Sequence, residues 1–187
     1  MNRVAELLRE NPIIAAIKDQ EGLEALSGID CGVVFILYGN IINIGEIVSR
    51  VKALGKTAFV HLDLIDGMAA KDVAVDFIAD TTGADGIIST KAPLINVAHS
   101  RGLLTVHRFF VLDSKSLAGV DRQLSSSEAD SIEILPGVMP KIIRRICAMT
   151  EKPVIAGGLI CDKEDVMNAI SAGACGISTT NTAVWRE

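Results

Sequence analysis

Aromatic side chains are scarce in this chain: one Trp, one Tyr and five Phe make up 4% of its 187 residues. Its core must therefore be aliphatic, and a platform of several stacked rings for reading nucleic-acid bases is excluded. Proline is also rare, five residues against sixteen glycines, so tight turns fall to glycine. Cysteine is limited to Cys31, Cys147, Cys161 and Cys175, with no Cys-x-x-Cys spacing and apolar neighbours. That pattern excludes a disulfide or zinc framework and predicts four reduced, mostly buried thiols. Positive charge is in deficit: 18 Lys and Arg against 23 Asp and Glu leave a net charge of −5. Contact with a nucleic acid then requires a local basic patch. The most apolar stretch, 31–39, is bounded by Asp30, Asn40 and Asn43 and falls far short of the ~20 residues of a membrane span. Residues 1–11 carry Arg3, Glu6, Arg9 and Glu10 with no apolar stretch of signal-peptide length behind them, which predicts a cytoplasmic protein.

What is present is 49% hydrophobic and 22% charged sequence in which short apolar runs alternate with amphipathic stretches along the whole length. This is the pattern of parallel strands joined by helices. Strands are predicted at 13–18, 33–39, 58–63, 86–90, 104–111, 131–135, 154–158 and 176–179. Between them lie helix signals. Asn43 reads as an N-cap before Ile44, Ile47, Val48, Val51 and Leu54, with Gly55 as terminator. Ala70, Val73, Ala74, Phe77 and Ile78 form one apolar stripe, and Ile142, Ile143, Ile146 and Met149 another, with Lys141, Arg144 and Arg145 opposite. Asp162 would cap the helix containing Val166, Ala169 and Ile170, and Pro93 suits the first turn of another. Eight such units can open into a doubly wound sheet or close into a compact (β/α)8 barrel of the TIM type. The barrel is favoured, as a single domain over 1–187. No dinucleotide-binding glycine fingerprint follows the first strand, and charged residues gather at strand carboxyl ends.

The sharpest chemical signal lies in the last two units, VIAGGLI (154–160) and AGACGISTT (172–180). Gly157 and Gly158 would let backbone amides approach a ligand, while Ser178 and Thr179 supply hydroxyls beside a following helix N-terminus, an arrangement that suits phosphate. The bland alternative is a tight turn. Other strand ends contribute Lys18, His61, Asp63, Lys91, Arg108 and Glu133. Inside a barrel these must pair with one another or face a polar ligand, and an ion-pair network of Lys18, Asp63 and Glu133 plugging the mouth is one alternative. Period two places Phe59, His61 and Asp63 inward. His107 and Arg108 cannot share a face, and Arg108 is expected inward because a guanidinium suits an anionic ligand.

HLDLIDG (61–67) resembles the metal-binding strand of ribulose-phosphate 3-epimerases, but Ala156 stands where that family has a catalytic Asp, and its further metal-binding His has no counterpart. A fuller resemblance runs through HLDLIDG, DGIISTK (85–91), RFFVLDS (108–114), IEILPG (132–137), PVIAGGLI (153–160) and AGACGISTT, ending at Trp185. Together these blocks resemble the glycerol-uptake operon antiterminators, glycerol-3-phosphate-responsive regulators. The resemblance implies a barrel that binds glycerol 3-phosphate as effector, binds and stabilises leader mRNA of glycerol-utilisation genes, and has no turnover. No cofactor is expected, and no metal, since His61 and Asp63 lack the other ligands of a metal site. It also implies phosphate contacts from Gly157, Gly158, Ser178 and Thr179. Asp63, Lys91 and Glu133 would then meet the glycerol hydroxyls, with Lys18 and Arg108 balancing charge. Asn40, His107 and Thr180 depart from the family pattern, where Asp, Gln and Ser are usual. For the RNA, Lys141, Arg144 and Arg145 on the helix after the sixth strand are the first candidates, and Arg50, Lys52 and Lys56 the second. For each patch the alternative is an ordinary solvated helix face. A homo-oligomer is possible. The competing reading is a TIM-type phosphosugar isomerase, epimerase or aldolase, for which Lys91 could supply a Schiff base.

Overall fold

The computed structural model describes residues 2–186. Eight parallel strands, β1 (Ile13–Ile17), β2 (Val33–Ile36), β3 (Thr57–His61), β4 (Gly86–Ser89), β5 (Leu104–Phe110), β6 (Ser131–Leu135), β7 (Val154–Gly157) and β8 (Gly176–Thr179), pair in sequence order and close into a barrel. The helices are α1 (Arg3–Glu10), α2 (Gln20–Ala25), α3 (Ile44–Ala53), α4 (Asp72–Thr81), α5 (Ala92–Ser100), α6 (Ser114–Ser126), α7 (Pro140–Cys147) and α8 (Lys163–Ser171). All eight predicted strands are present, several shorter at the C-terminal end because the last residues turn into the mouth loops.

Ile14, Ala16, Val33, Phe35, Phe59, Ile88, Leu104, Val106 and Ile155 fill the barrel interior, and Val4 and Leu8 of α1 join the same cluster. Helix α1 therefore closes the N-terminal end of the barrel. Its signal is present in the sequence: Asn2 caps it by accepting from the Ala5 N–H, and Val4 and Leu8 lie one turn apart. Phe35 and Phe59 meet edge to face with centroids 5.5 Å apart. Gly86 makes room for them, since a Cβ there would lie 2.4 Å from the Phe59 ring. A second apolar layer, including Val34, Ile36, Val60, Ile87 and Ile177, lies between the strands and the helices.

Three helix expectations need correction. Helix α4 starts at Asp72, after a 3-10 turn over Leu62–Leu64 and a loop containing Gly67 at φ +79°. The later start rotates its buried face onto Ala74, Val75 and Ile78, leaving Ala70 before the helix and Val73 exposed. Asn43 precedes α3, but its side chain accepts from the Asn40 N–H at 2.8 Å instead of capping the helix. Leu54 at the end of α3 is exposed, whereas Gly55 terminates the helix at φ +74° as expected. Asp162 caps α8 and Pro93 lies in the first turn of α5, both as predicted. The cysteines are all free, but only Cys31 is fully buried, and Cys161 is exposed at the mouth. Among the described residues no helix is long and apolar enough to cross a membrane.

Candidate ligand site at the barrel mouth

A cavity of about 480 Å³ opens at the C-terminal end of the strands. One side is built by the β7 and β8 loops through Gly158, Leu159, Ile160, Ser178 and Thr180, and the other by Arg108 and Glu133. Gly158 has φ +78° and Leu159 φ +63°. A left-handed leucine costs roughly 1 kcal/mol, and the Leu159 side chain is 74% exposed, so packing does not hold it there. The turn leaves the backbone N–H groups of Gly158, Leu159, Ile160 and Thr180 without an acceptor among the described residues.

Gly157 has a different role from the one expected. A Cβ at that position would stand 2.3 Å from Glu133 Oε1, so this glycine makes room for the carboxylate. Ser178 lies in register with Ile14 and Gly157, faces inward, and its hydroxyl has no protein partner among the described residues. Thr179 faces the other way. Its Oγ1 donates to the Ile160 carbonyl at 2.8 Å and accepts from the Asn181 N–H, while its own carbonyl accepts from Trp185 Nε1. Thr179 thus ties the two loops together, and Ser178 and Thr180 present the hydroxyls. The helix N-terminus expected after β8 is a short 3-10 turn, Val184–Arg186. Nor does α8 attract an anion with its N-terminus, where Asp162 is the cap and the first turn carries Glu164 and Asp165.

Arg108 faces inward, as expected, in register with Glu133 on β6. Its Nε donates to Glu133 Oε2 at 2.6 Å, and the two side chains are 6% and 1% exposed. Glu133 Oε1 is buried with no partner, and the terminal nitrogens of Arg108 donate to no described residue while lining the cavity. The pair is therefore only half satisfied by protein. His107 points into the sheet–helix layer, where Nδ1 lies 3.0 Å from Ser127 Oγ and burial holds its pKa below the ordinary value.

The remaining strand-end charges stand apart from this cavity, Asp63 paired with Lys91 and Lys18 with Asp19, so the mouth is not plugged by one network. Asp63 accepts from Ser89 Oγ, the Thr90 N–H at 2.7 Å and Lys91 Nζ at 3.1 Å. Burial pushes its carboxyl up, but the bonds from Thr90, Lys91 and Ser89 outweigh that and hold it below the usual range. With its oxygens occupied and its side chain outside the cavity lining, Asp63 is not placed to meet a glycerol hydroxyl, and neither is Lys91. Lys18 folds onto Asp19 at 2.9 Å at the exposed rim. His61 is buried beneath the mouth, its Nδ1 without a hydrogen-bond partner. Burial, with the positive charge of Arg108 behind it, lowers its pKa to about 3.

Of the basic patches, Arg50, Lys52 and Lys56 do not form one. Lys56 is buried, donating to the carbonyls of Ile29 and Cys31, and Lys52 is neutralised by Asp85 at 2.6 Å. Lys141, Arg144 and Arg145 are exposed together on α7, with no acidic partner among the described residues. Asn40 forms a local turn, accepting from the N–H groups of Ile42 and Asn43.

The fold is a closed TIM-type barrel whose mouth cavity gathers unbonded amides, an inward hydroxyl and a half-satisfied Arg–Glu pair. The chain belongs to the family of glycerol-3-phosphate responsive antiterminators, whose pattern it matches over residues 13–185. It is 48% identical over 179 residues to the uncharacterized protein YgcP of Escherichia coli strain K12, covering 96% of this chain and 94% of that one. The glycerol uptake operon antiterminator regulatory protein of Listeria monocytogenes superposes with a TM-score of 0.90 at 31% identity, covering 94% of this chain and 95% of that one. A glycerol uptake operon antiterminator-related protein of Thermotoga maritima gives 0.83 at 34% identity, covering 94% and 98%. More distant barrels, aldolases among them, share the fold alone.

Proposed function

We propose that the mouth cavity binds glycerol 3-phosphate and that the chain acts as its sensor, binding leader mRNA of glycerol-utilisation genes when the effector is present. The observation that carries this reading is the pairing of two unmet needs in one cavity. Unbonded amides at Gly158, Leu159, Ile160 and Thr180, with the Ser178 hydroxyl, call for an anion that accepts several hydrogen bonds. Across from them Glu133 Oε1 calls for a hydroxyl donor, and the Arg108 terminal nitrogens call for further acceptors. A small phosphate ester carrying free hydroxyls meets both; phosphate or glycerol alone meets one. Gly157 and Thr179 then act as supports of the site, one leaving space for Glu133 and the other clamping the β7 and β8 loops. Lys18, Lys91 and Asp63 contribute charge at the rim.

The same geometry argues against turnover. His61 stays neutral down to about pH 3 and lies below the cavity. Lys91, the candidate for a Schiff base, is held by Asp63. Among the described residues the cavity's carboxylate, Glu133, is engaged by Arg108, and the Cys161 thiol at its rim is bonded to Asp165, which helps raise its pKa to about 11, so neither is poised as a base or nucleophile at neutral pH. Metals and cofactors have no part in this reading, and the RNA contact includes the exposed Lys141, Arg144 and Arg145. Because sensing requires the effector to prefer the RNA-competent state, RNA must tighten glycerol 3-phosphate by the factor that the effector tightens RNA.

A thermal shift series tests the site. At 100 times its dissociation constant glycerol 3-phosphate should add about 2.7 kcal/mol of stability, with much smaller effects from glycerol or inorganic phosphate. Gly158→Val should abolish the shift, because a β-branched residue cannot hold φ +78° and keep the amides aimed at the ligand. Equal shifts with glycerol and glycerol 3-phosphate, or a normal shift in Gly158→Val, would overturn the assignment.

A further inference from the structure

Phe110 is 51% exposed, and among the described residues it is the one exposed aromatic side chain in a chain that buries or half-buries its other six. It lines a second cavity, of about 440 Å³, between the end of β5 and α6. Gly119 forms part of the wall. A glycine inside a helix costs roughly 1 kcal/mol relative to Ala, and here a Cβ would meet nothing closer than Gln123 Nε2 at 3.7 Å. The missing side chain therefore relieves no clash; what it does is keep the cavity open. Beside it the Gln123 amide has no hydrogen-bond partner, and Lys115 is exposed with no acidic partner, among the described residues. Arg108 belongs to the walls of both this cavity and the effector cavity.

We infer that this second cavity receives one unstacked nucleotide of a single-stranded RNA. This rests on the proposed antiterminator function and adds where the RNA is read. The base would stack on Phe110, its edge would hydrogen-bond the Gln123 amide, and its phosphate would lie against Lys115. The chemistry favours a nucleotide over an apolar peptide, since one aromatic face, one free amide and one free cation match a base, its edge and its phosphate; Asp113, also in the wall, is engaged in capping α6 through the Ser116 N–H. Arg108 supplies the link to the effector. The two cavities meet at Arg108 of β5, so a ligand that holds its terminal nitrogens in the mouth cavity bears on a residue that also bounds the nucleotide cavity.

The test uses fluorescein-labelled single-stranded RNA of random sequence, read by anisotropy with and without glycerol 3-phosphate. Phe110→Ala should weaken binding about tenfold, the usual worth of one stacked base. Gly119→Leu fills the cavity while improving helix propensity, so its loss of binding cannot be ascribed to misfolding. Both variants should keep the glycerol 3-phosphate thermal shift, and Arg144→Ala with Arg145→Ala should weaken RNA less and mainly reduce the salt dependence. If the unaltered protein bound neither this RNA nor the leader mRNA, the antiterminator reading itself would fall. If it bound RNA and both cavity variants bound equally well, this inference alone would fall. Altered self-association with unchanged RNA affinity would mark the groove as a protein contact and overturn it as well.

Discussion

The two ends of the barrel use the same alternation of inward side chains for opposite purposes. At the N-terminal end inward positions are occupied by Phe35, Phe59 and Val106 and closed by Val4 and Leu8, so every inward group finds an apolar neighbour. Two residues further along β5 the same alternation delivers Arg108 in place of Val106, and on β6 it delivers Glu133 beside it. Apolar groups can be satisfied by one another through close packing alone. The Arg–Glu pair cannot, because a guanidinium and a carboxylate have more donors and acceptors than one contact engages. The unfilled hydrogen-bonding capacity at the mouth is what the proposed binding site rests on, and the filled end is the scaffold that holds it.

Three perturbations sharpen or break this contrast. The largest effect is expected from Phe59→Ala, which removes a fully buried ring and its edge-to-face partner contact, costing about 4 kcal/mol. Its urea midpoint should fall, while the folded fraction binds glycerol 3-phosphate normally by calorimetry; a parallel loss of affinity would show that the two ends are not separable. Glu133→Ala should cost about 3 kcal/mol by leaving Arg108 buried without its partner. Unlike the ring deletion, it should also remove the response to glycerol 3-phosphate. A destabilised variant with an intact response would move the hydroxyl contact away from Glu133.

The gentlest effect is a pH dependence, small for each pH unit because it is spread over several of them. His61 has a folded pKa of about 3 against an ordinary 6.5. Between those values the unfolded chain binds a proton that the folded chain does not, so stability falls on acidification through this window, with a slope of at most about 1.4 kcal/mol per pH unit. Asp63 acts in the same direction at lower pH. Its pKa is held below the ordinary 3.8, so its contribution is present above that value and is lost as pH falls through the folded one. His61→Leu should flatten the upper part of the profile in urea titrations at several pH values and leave the Asp63 part in place. An unchanged profile would mean that His61 is protonated in the folded protein.

The eight strands were legible because each is a short apolar run bounded by turn residues, and burial on both faces of a parallel sheet writes that run into the sequence. That His107 and Arg108 face opposite sides was legible from the period of two; which of them faces the axis was not, and Arg108 was expected there only because a guanidinium suits an anionic ligand. Helix α4 was misread in phase because nothing in 66–71 marks where a loop ends and a helix begins, and a shift of two residues moves Val73 from the buried face to solvent. Lys56 looked like part of an exposed basic patch because it follows a helix in sequence; in space its ammonium reaches back to two carbonyls below β2.

From its residues alone the chain determines a (β/α)8 barrel and a family, since both rest on local periodicity and on ordered blocks of sequence. Which polar groups remain unsatisfied was decided only by the tertiary structure. Asp63 and Glu133 are both acids at strand ends, yet one is surrounded by three donor residues and the other keeps a bare buried oxygen. Thr179 and Ser178 are adjacent hydroxyls, yet one clamps a loop and the other faces the cavity. Hydrogen-bond satisfaction depends on neighbours contributed by other strands, and the closure of the barrel is what brings those neighbours together.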